Sequence, residues 1–312
     1  MQPKFSIILP AYNREKTIQR ALDSLLNQTF TNFEIIVIDD SSKDNTVAVI
    51  QQNQDERISL IQNKNNLERC VSRNIGIQQA KGQYICFLDS DDYHLPNHLE
   101  ILHNQITEDN YPVCFYFTNA WNKNFEGELS ERVCPTFTDY DPYFYFLTYT
   151  VNPQRWCVHA DILKQVQFDP NVIICEDMDT SLRITQAGFE IKQIESRSTV
   201  YVAYEESFTY GDPKKAEKEF KYLSIIFSKE ILKKHLPRKA KNKLISMCYY
   251  NFTLHQERYR FFQLLRFAVL ALLYYPKGYN QNANKTMFVI TLYKIPILGS
   301  LVKWTIQKIK GN

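Results

Sequence analysis

The chain has 312 residues, enough for one large domain or for a domain with a substantial appendage. Its net charge of +3 hides an asymmetry: residues 213–312 carry 20 Lys+Arg against 4 Asp+Glu, while residues 1–212 carry 17 against 30. The seven cysteines are scattered without a CxxC pair, which argues against a disulfide or zinc framework and fits reduced thiols.

Phe5 to Leu9 reads as a first strand, and Pro10-Ala11-Tyr12-Asn13 as the turn after it, with Asn13 as helix N-cap. Ile18, Ala21, Leu22, Leu25 and Leu26 then recur at helical spacing. Glu34 to Ile38 is a second strand that stops on Asp39-Asp40-Ser41-Ser42. A helix over Thr46 to Gln52, a strand over Ile58 to Ile61 and a helix over Glu68 to Ala80 follow, the last ended by Lys81-Gly82. Tyr84 to Leu88 is a fourth strand, Leu99 to Ile106 a helix and Val113 to Phe117 a fifth strand. This alternation predicts an α/β layer with a mostly parallel sheet.

After Thr118 the rhythm changes. Residues 119–150 are polar and then dense in Tyr and Phe, a run that either stacks on a ligand or packs in the core, as does Trp156. Trp156 to Ala160 reads as a strand, with His159 a strand histidine. A helix from Cys175 through Ile184 ends at Gly188, and two strands follow over Ile191–Ile194 and Thr199–Tyr204. Beyond them, residues 205–215 read as a flexible loop.

Two acidic groups fall at the carboxyl ends of strands, where open α/β sheets bind ligands. One is Asp39-Asp40. The other is Asp89-Ser90-Asp91-Asp92, whose Asp89 and Asp91 leave the same face of an extended chain. Carboxylates held that close repel unless a cation sits between them, and Mg²⁺ or Mn²⁺ commonly shares such ligands with a diphosphate. Taken alone, the same group reads as an acidic turn capping a helix, with Asp92 as cap and Pro96 at its first position.

The ordered set Pro10-Ala11-Tyr12-Asn13, Val37-Ile38-Asp39-Asp40-Ser41-Ser42, Arg73-Asn74-Ile75-Gly76, Ala80-Lys81-Gly82-Gln83-Tyr84, Phe87-Leu88-Asp89-Ser90-Asp91-Asp92 and Glu176-Asp177 resembles the family 2 inverting glycosyltransferases of GT-A fold. The resemblance spans about residues 4–205. It implies a Rossmann-like mixed sheet flanked by helices, the catalytic domain being taken as residues 1–212; residues 213–312 lie outside the resemblance and read from their own composition as a basic helical appendage. It implies that Asp40 pairs with the nucleotide base, that Asp39 supports its turn, and that Pro10, Ala11, Tyr12 and Asn13 line the nucleoside pocket. Arg73 would approach the base or the phosphates. Asp91, with Asp89, would hold a divalent cation (Mn²⁺ or Mg²⁺) bridging the donor's diphosphate, Asp89 alternatively reaching the ribose. Asp177 would be the catalytic base and Glu176 its neighbour; by themselves these two read as a charged helix N-terminus. The implied reaction moves a sugar from a nucleotide-diphosphate donor, a UDP-sugar on the Asp40 reading, to a hydroxyl on a glycan or lipid-linked acceptor. One departure stands out: relatives often carry a basic residue after the last strand, and here Tyr204-Glu205-Glu206-Ser207 offers none before Lys214.

The tail suits an anionic partner. Its apolar stretches, Phe261 to Tyr275 and Met287 to Val302, are short or interrupted by charge, so they read as interfacial helices at a membrane surface, or as a helical subdomain on the catalytic domain. The N-terminus lacks a signal-peptide pattern, so a cytoplasmic, peripheral membrane location is expected and no nucleic acid. Rival readings are a non-catalytic nucleotide- or sugar-binding protein and a sugar-1-phosphate nucleotidyltransferase. The latter would want a Gly-rich phosphate loop where Pro10-Ala11-Tyr12-Asn13 stands.

Overall fold

A computed structural model describes residues 2–203, apart from 173, together with Arg238. The readings made for the closing loop and the basic tail lie outside the described residues. Among those described, no helix is long and apolar enough to cross a membrane.

Among the described residues, nine strands form one sheet: β1 (Phe5–Ala11), β2 (Phe33–Asp39), β3 (Ile58–Gln62), β4 (Tyr84–Phe87), β5 (Tyr93–His94), β6 (Cys114–Lys123), β7 (Leu129–Glu131), β8 (Trp156–His159) and β9 (Glu190–Val202). Their order is β3-β2-β1-β4-β8-β6-β9-β5, with β7 paired to β6. The helices are α1 (Ile18–Leu26), α2 (Thr46–Gln51), α3 (Glu68–Gln79), α4 (His98–Glu108), α5 (Pro142–Phe146), α6 (Ala160–Gln165) and α7 (Glu176–Gln186).

The first half is doubly wound. β3, β2, β1 and β4 are parallel neighbours, and the chain passes from β3 across to the far side of β1 to make β4. That reversal opens a crevice at the carboxyl ends of β1 and β4. The strands are apolar on both faces because helices cover both, and Ile7, Ile8, Leu9, Ile85, Cys86 and Phe87 are wholly buried. α1 turns Ile18, Ala21, Leu22 and Leu25 inward, the 3.6-residue stripe visible in the sequence. Gly82 is required by close approach: a Cβ there would lie 2.5 Å from the Ser6 backbone nitrogen.

The second half is mixed rather than parallel, because β8 runs antiparallel to both β4 and β6. The two final strands expected separately are one strand, β9, which follows β6 across a bulge between Thr118 and Ala120. Asn119 holds the irregularity, donating to the Glu195 carbonyl at 3.1 Å and accepting from Gln193 Nε2 at 2.7 Å. Four of the seven aromatics of the Tyr/Phe run belong to the core, while Tyr140, Tyr143 and Tyr149 are half-buried. Phe137, Phe144, Tyr145 and Phe146 are buried, and Tyr145 packs its ring 5.0 Å from Phe137 and 5.7 Å from Phe117. Trp156 is fully buried as well, edge-on to Phe115 at 5.1 Å. α5 begins with Asp141 accepting from Phe144 N and Pro142 in the first turn, a start signal present in the sequence.

Candidate functional site

A cleft of about 800 Å³ opens at the carboxyl ends of β1, β2 and β4. It collects Pro10, Ala11 and Tyr12 from the end of β1, Asp40 after β2, Arg73 on α3, and Asp89, Ser90, Asp91 and Asp92 after β4. Among the described residues, Asn13 (53°), Ser41 (68°), Glu68 (68°) and Cys175 (62°) are non-glycine positions with positive φ, and of these Glu68 lines the cleft. Such conformations concentrate where the surrounding structure imposes a particular backbone path.

Asn13 is not a helix cap. α1 starts at Ile18, and Asn13 instead pins two turns together: its Oδ1 accepts from Lys43 N at 2.8 Å and its N–H donates to Ser42 Oγ at 3.0 Å. It does not line the cleft. Asp39 accepts from Ser42 N at 3.3 Å, holding the turn. Asp40 is buried, and its Oδ1 accepts from Asn63 Nδ2 at 2.8 Å and Leu67 N at 2.9 Å.

Arg73 joins three elements. Its Nη2 donates to Asp89 Oδ1 and its Nη1 to Glu176 Oε1, both at 2.8 Å, and its guanidinium lies 5.3 Å from the centre of the Phe168 ring. Burial alone would lower its pKa; the two carboxylates outweigh that and raise it. The surface ion pair that a lone arginine usually makes is thus ruled out by burial on both sides of the contact with Glu176.

The acidic turn divides its work. Asp91 faces Arg14 Nη2 at 3.8 Å, and its carbonyl accepts from Arg20 Nη2. Asp92 is neither a cap nor an open ligand: Oδ2 accepts from Gln154 Nε2 at 2.7 Å and Oδ1 from Val202 N at 2.8 Å. Burial, then the charges of Asp91 and Asp89, push its carboxyl well above the ordinary range. Pro96 likewise precedes the helix, which begins at His98.

Glu176 and Asp177 open α7, and both are buried. Neither lines the cleft directly; they are connected to it through Arg73. Burial and the neighbouring Glu176 push the Asp177 carboxyl up to about 7, against the pull of the Met178 N–H and Arg73.

No group of three or more His, Cys, Asp or Glu among the described residues could hold a metal alone. Asp89 and Asp91, two of the cleft's carboxylates, fit a different kind of site, one in which a hard cation takes one or two protein oxygens and completes its shell from a substrate diphosphate and water. The part of the cleft contributed by the second half of the sheet was not legible in the sequence. Lys123, Arg132 and Tyr201 line it from β6, the residue following β7, and β9.

The Glycosyl transferase family 2 model matches residues 6–161, half of the chain, and ends before Glu176. An uncharacterized glycosyltransferase from Methanocaldococcus jannaschii is 31% identical over 201 residues, 62% of this chain and 69% of that protein. The Escherichia coli UDP-Glc:alpha-D-GlcNAc-diphosphoundecaprenol beta-1,3-glucosyltransferase WfgD is 35% identical over 136 residues, 44% of this chain and about half (53%) of its own length. Among solved structures, S. aureus TarS 1–349 in complex with UDP-GlcNAc matches with a TM-score of 0.65 at 21% identity, covering 94% of this chain and 82% of that one. The mannosyltransferase PcManGT from Pyrobaculum calidifontis, in complex with GDP-Man and Mn²⁺, matches at 0.60 and 14%, covering 94% and 87%. At those identities the structural likeness speaks for the GT-A fold, and together with the family match it means that the chain belongs to glycosyl transferase family 2.

Proposed function

We propose that the protein is an inverting, metal-dependent glycosyltransferase that moves a sugar from a UDP-sugar to a hydroxyl of a glycan or lipid-linked acceptor, in the synthesis of a surface polysaccharide. The observation that carries this reading is the convergence of Asp40, Arg73, Asp89 and Asp91 on one cleft at the switch point of the sheet. The two structural neighbours named above hold UDP-GlcNAc and GDP-Man, so the fold alone does not choose the base. Asp40 speaks against cytosine, because a carboxylate accepts the imide N–H that uracil has and cytosine lacks. WfgD, by its name, uses UDP-Glc and a diphosphoundecaprenol-linked acceptor.

In this mechanism Pro10, Ala11, Tyr12 and Asp40 seat the nucleoside. Arg73 fixes Asp89 in place, so that one wall of the diphosphate site is rigid before substrate arrives. Asp91 and Asp89 would hold Mn²⁺ or Mg²⁺, which when bound neutralises charge on the leaving diphosphate. Asp177 takes the proton of the attacking hydroxyl, on the face of the sugar opposite the leaving group. A carboxyl raised to about 7 suits that task, since a base works best with a pKa near the working pH. Glu176 orients the pair by its bond to Arg73. Residues 1–212 are the catalytic domain on this reading, and the basic residues 213–312 bring it to the anionic cytoplasmic face of a membrane.

The deciding experiment is calorimetry of UDP, GDP, CDP and dTDP, each with and without Mn²⁺. Metal-dependent UDP binding that disappears in Asp91→Ala is the expected result and justifies a screen of UDP-sugars for turnover. Absence of any nucleotide binding would sink the donor-site assignment in favour of a binding protein of the same fold.

A further inference from the structure

The cleft is lined by five cationic side chains, and they divide into two sets. Arg14, Arg69 and Arg73 each face a carboxylate: Asp91 at 3.8 Å, Glu176 at 3.9 Å, and Asp89 with Glu176 at 2.8 Å. Lys123 and Arg132 have only neutral partners among the described residues. Arg132 donates from Nη1 to Asn122 Oδ1 at 3.2 Å and from Nη2 to Asn152 Oδ1 at 3.4 Å, and its guanidinium lies 4.4 Å from the centre of the Tyr201 ring. Lys123 Nζ lies 5.8 Å from the centre of the Tyr93 ring.

This arrangement costs side-chain freedom without neutralising charge. Two amide oxygens and a ring face hold the guanidinium in one orientation, and the Tyr201 hydroxyl in turn donates to Asn152 Oδ1 at 3.2 Å. The supports are themselves part of the sheet. Asn122 pairs with Tyr201 and Lys123 with Val202 in the β6–β9 register, and Val202 donates its N–H to Asp92. Lys123 therefore sits one strand from the acidic turn, and Arg132 is held over the next residue of the same ladder.

We infer that Arg132, with Lys123, binds a substrate phosphate on the β6–β9 side of the cleft. A planar guanidinium held by neutral groups keeps its full charge for a phosphate, which it can meet with two parallel N–H···O bonds. The assignment rests on the donor-site reading above. It also supplies, from β6 and the β7 end, the cation that the stretch after the last strand lacks before Lys214. The phosphate is either the donor's leaving diphosphate or one carried by the acceptor, and the test separates them.

The test measures uridine, UMP and UDP binding by calorimetry with Mn²⁺, and octyl phosphate binding to the UDP-saturated protein, in wild type and Arg132→Gln. If the donor diphosphate is bound, UDP affinity falls about tenfold or more while uridine affinity stays unchanged. If an acceptor phosphate is bound, UDP affinity stays unchanged and octyl phosphate affinity falls by that factor. Arg132→Lys recovers part of whichever loss occurs. Unchanged affinities for both probes overturn the assignment, as does a parallel loss of uridine binding, which would mean that Arg132 only supports the wall. A wild-type protein that binds no UDP overturns the donor reading itself and this assignment with it. Should Arg132→Gln melt below the assay temperature, Lys123→Gln carries the same predictions.

Discussion

Arg73 and Glu176 stand 103 positions apart in the chain, yet Nη1 of one and Oε1 of the other lie 2.8 Å apart, both buried. This contact ties α3 to the N-terminus of α7, and the second arm of the same guanidinium ties both to Asp89. A single side chain thus connects the nucleotide-side helix, the acidic turn after β4 and the carboxylates that open α7.

Removing that side chain leaves buried Glu176 without its hydrogen-bonded cation, with only Arg69 Nη1 at 3.9 Å in its place. Arg73→Leu is expected to lower the unfolding free energy by about 3–5 kcal/mol, the usual cost of breaking a buried pair by deleting one partner. Arg73→Lys keeps a charge but cannot span both carboxylates with a planar fork, so it should fall between the two. Urea unfolding measures both. A leucine variant as stable as wild type would mean that Glu176 and Asp89 find water or another cation.

The raised Asp177 carboxyl gives a signed pH prediction. As a base it works only when ionised, so kcat/KM should rise with pH through an apparent pKa near 7 and level off above it. Glu176 is the charge that raises it, after burial. Glu176→Gln should therefore move the limb to lower pH, whatever it does to the maximum rate, and Asp177→Asn should abolish the limb with the activity. A limb that stays in place in Glu176→Gln would place the titrating group elsewhere.

How much of this could be read from residues alone follows from the range of the interactions. The parallel half of the fold was legible because each apolar run is bounded by its own turn, and α1 shows its stripe within nine residues. Asp40, Asp89 and Asp91 were legible as a set because each follows a strand that must end on the same side. Asn13 was misread because a short polar side chain after a strand suits a cap and a turn equally; its real partners, Ser42 and Lys43, belong to the next βα connection. Asp92 looked like a cap for the same reason, while its partners Gln154 and Val202 lie 62 and 110 positions away. Lys123 and Arg132 carry no local signal at all. They reach the cleft because β7 pairs with β6 and β6 with β9, whose Val202 N–H bonds Asp92.

The buried histidines should set part of the acid stability. His94 and His98 stack with ring centres 3.7 Å apart, and burial lowers the His94 pKa from its ordinary 6.5 to about 4. Between those values the unfolded chain binds a proton that the folded one does not, so this contribution is present above pH 6.5 and is lost as pH falls towards 4. Its size is roughly 3 kcal/mol at most. In His94→Gln the slope of unfolding free energy against pH between 4.5 and 6.5 should become less positive than in wild type. An unaltered slope would show that His94 takes up its proton in the folded state as readily as in the unfolded one.

Asp92 offers the sharpest distinction between a charge and a shape. Its two oxygens each receive an N–H, from Gln154 and from Val202, and these bonds fasten the Asp89–Asp91 turn to the end of β9. A carboxyl can accept both bonds in either protonation state, because each oxygen keeps a lone pair. An amide cannot: whichever way Asn is turned, its NH₂ faces a donor. Asp92→Asn should therefore cost about 1–3 kcal/mol, the penalty of an unpaired buried polar group, although it is nearly the same size. The same loosening should weaken UDP binding with Mn²⁺, because the Asp89–Asp91 turn loses its anchor on β9. Thermal unfolding and calorimetry on one preparation separate the two effects. Lower stability with wild-type UDP affinity would mean that Asp92 serves the fold alone, whereas parallel losses would make the bond between the turn and β9 part of how the site holds its ligand.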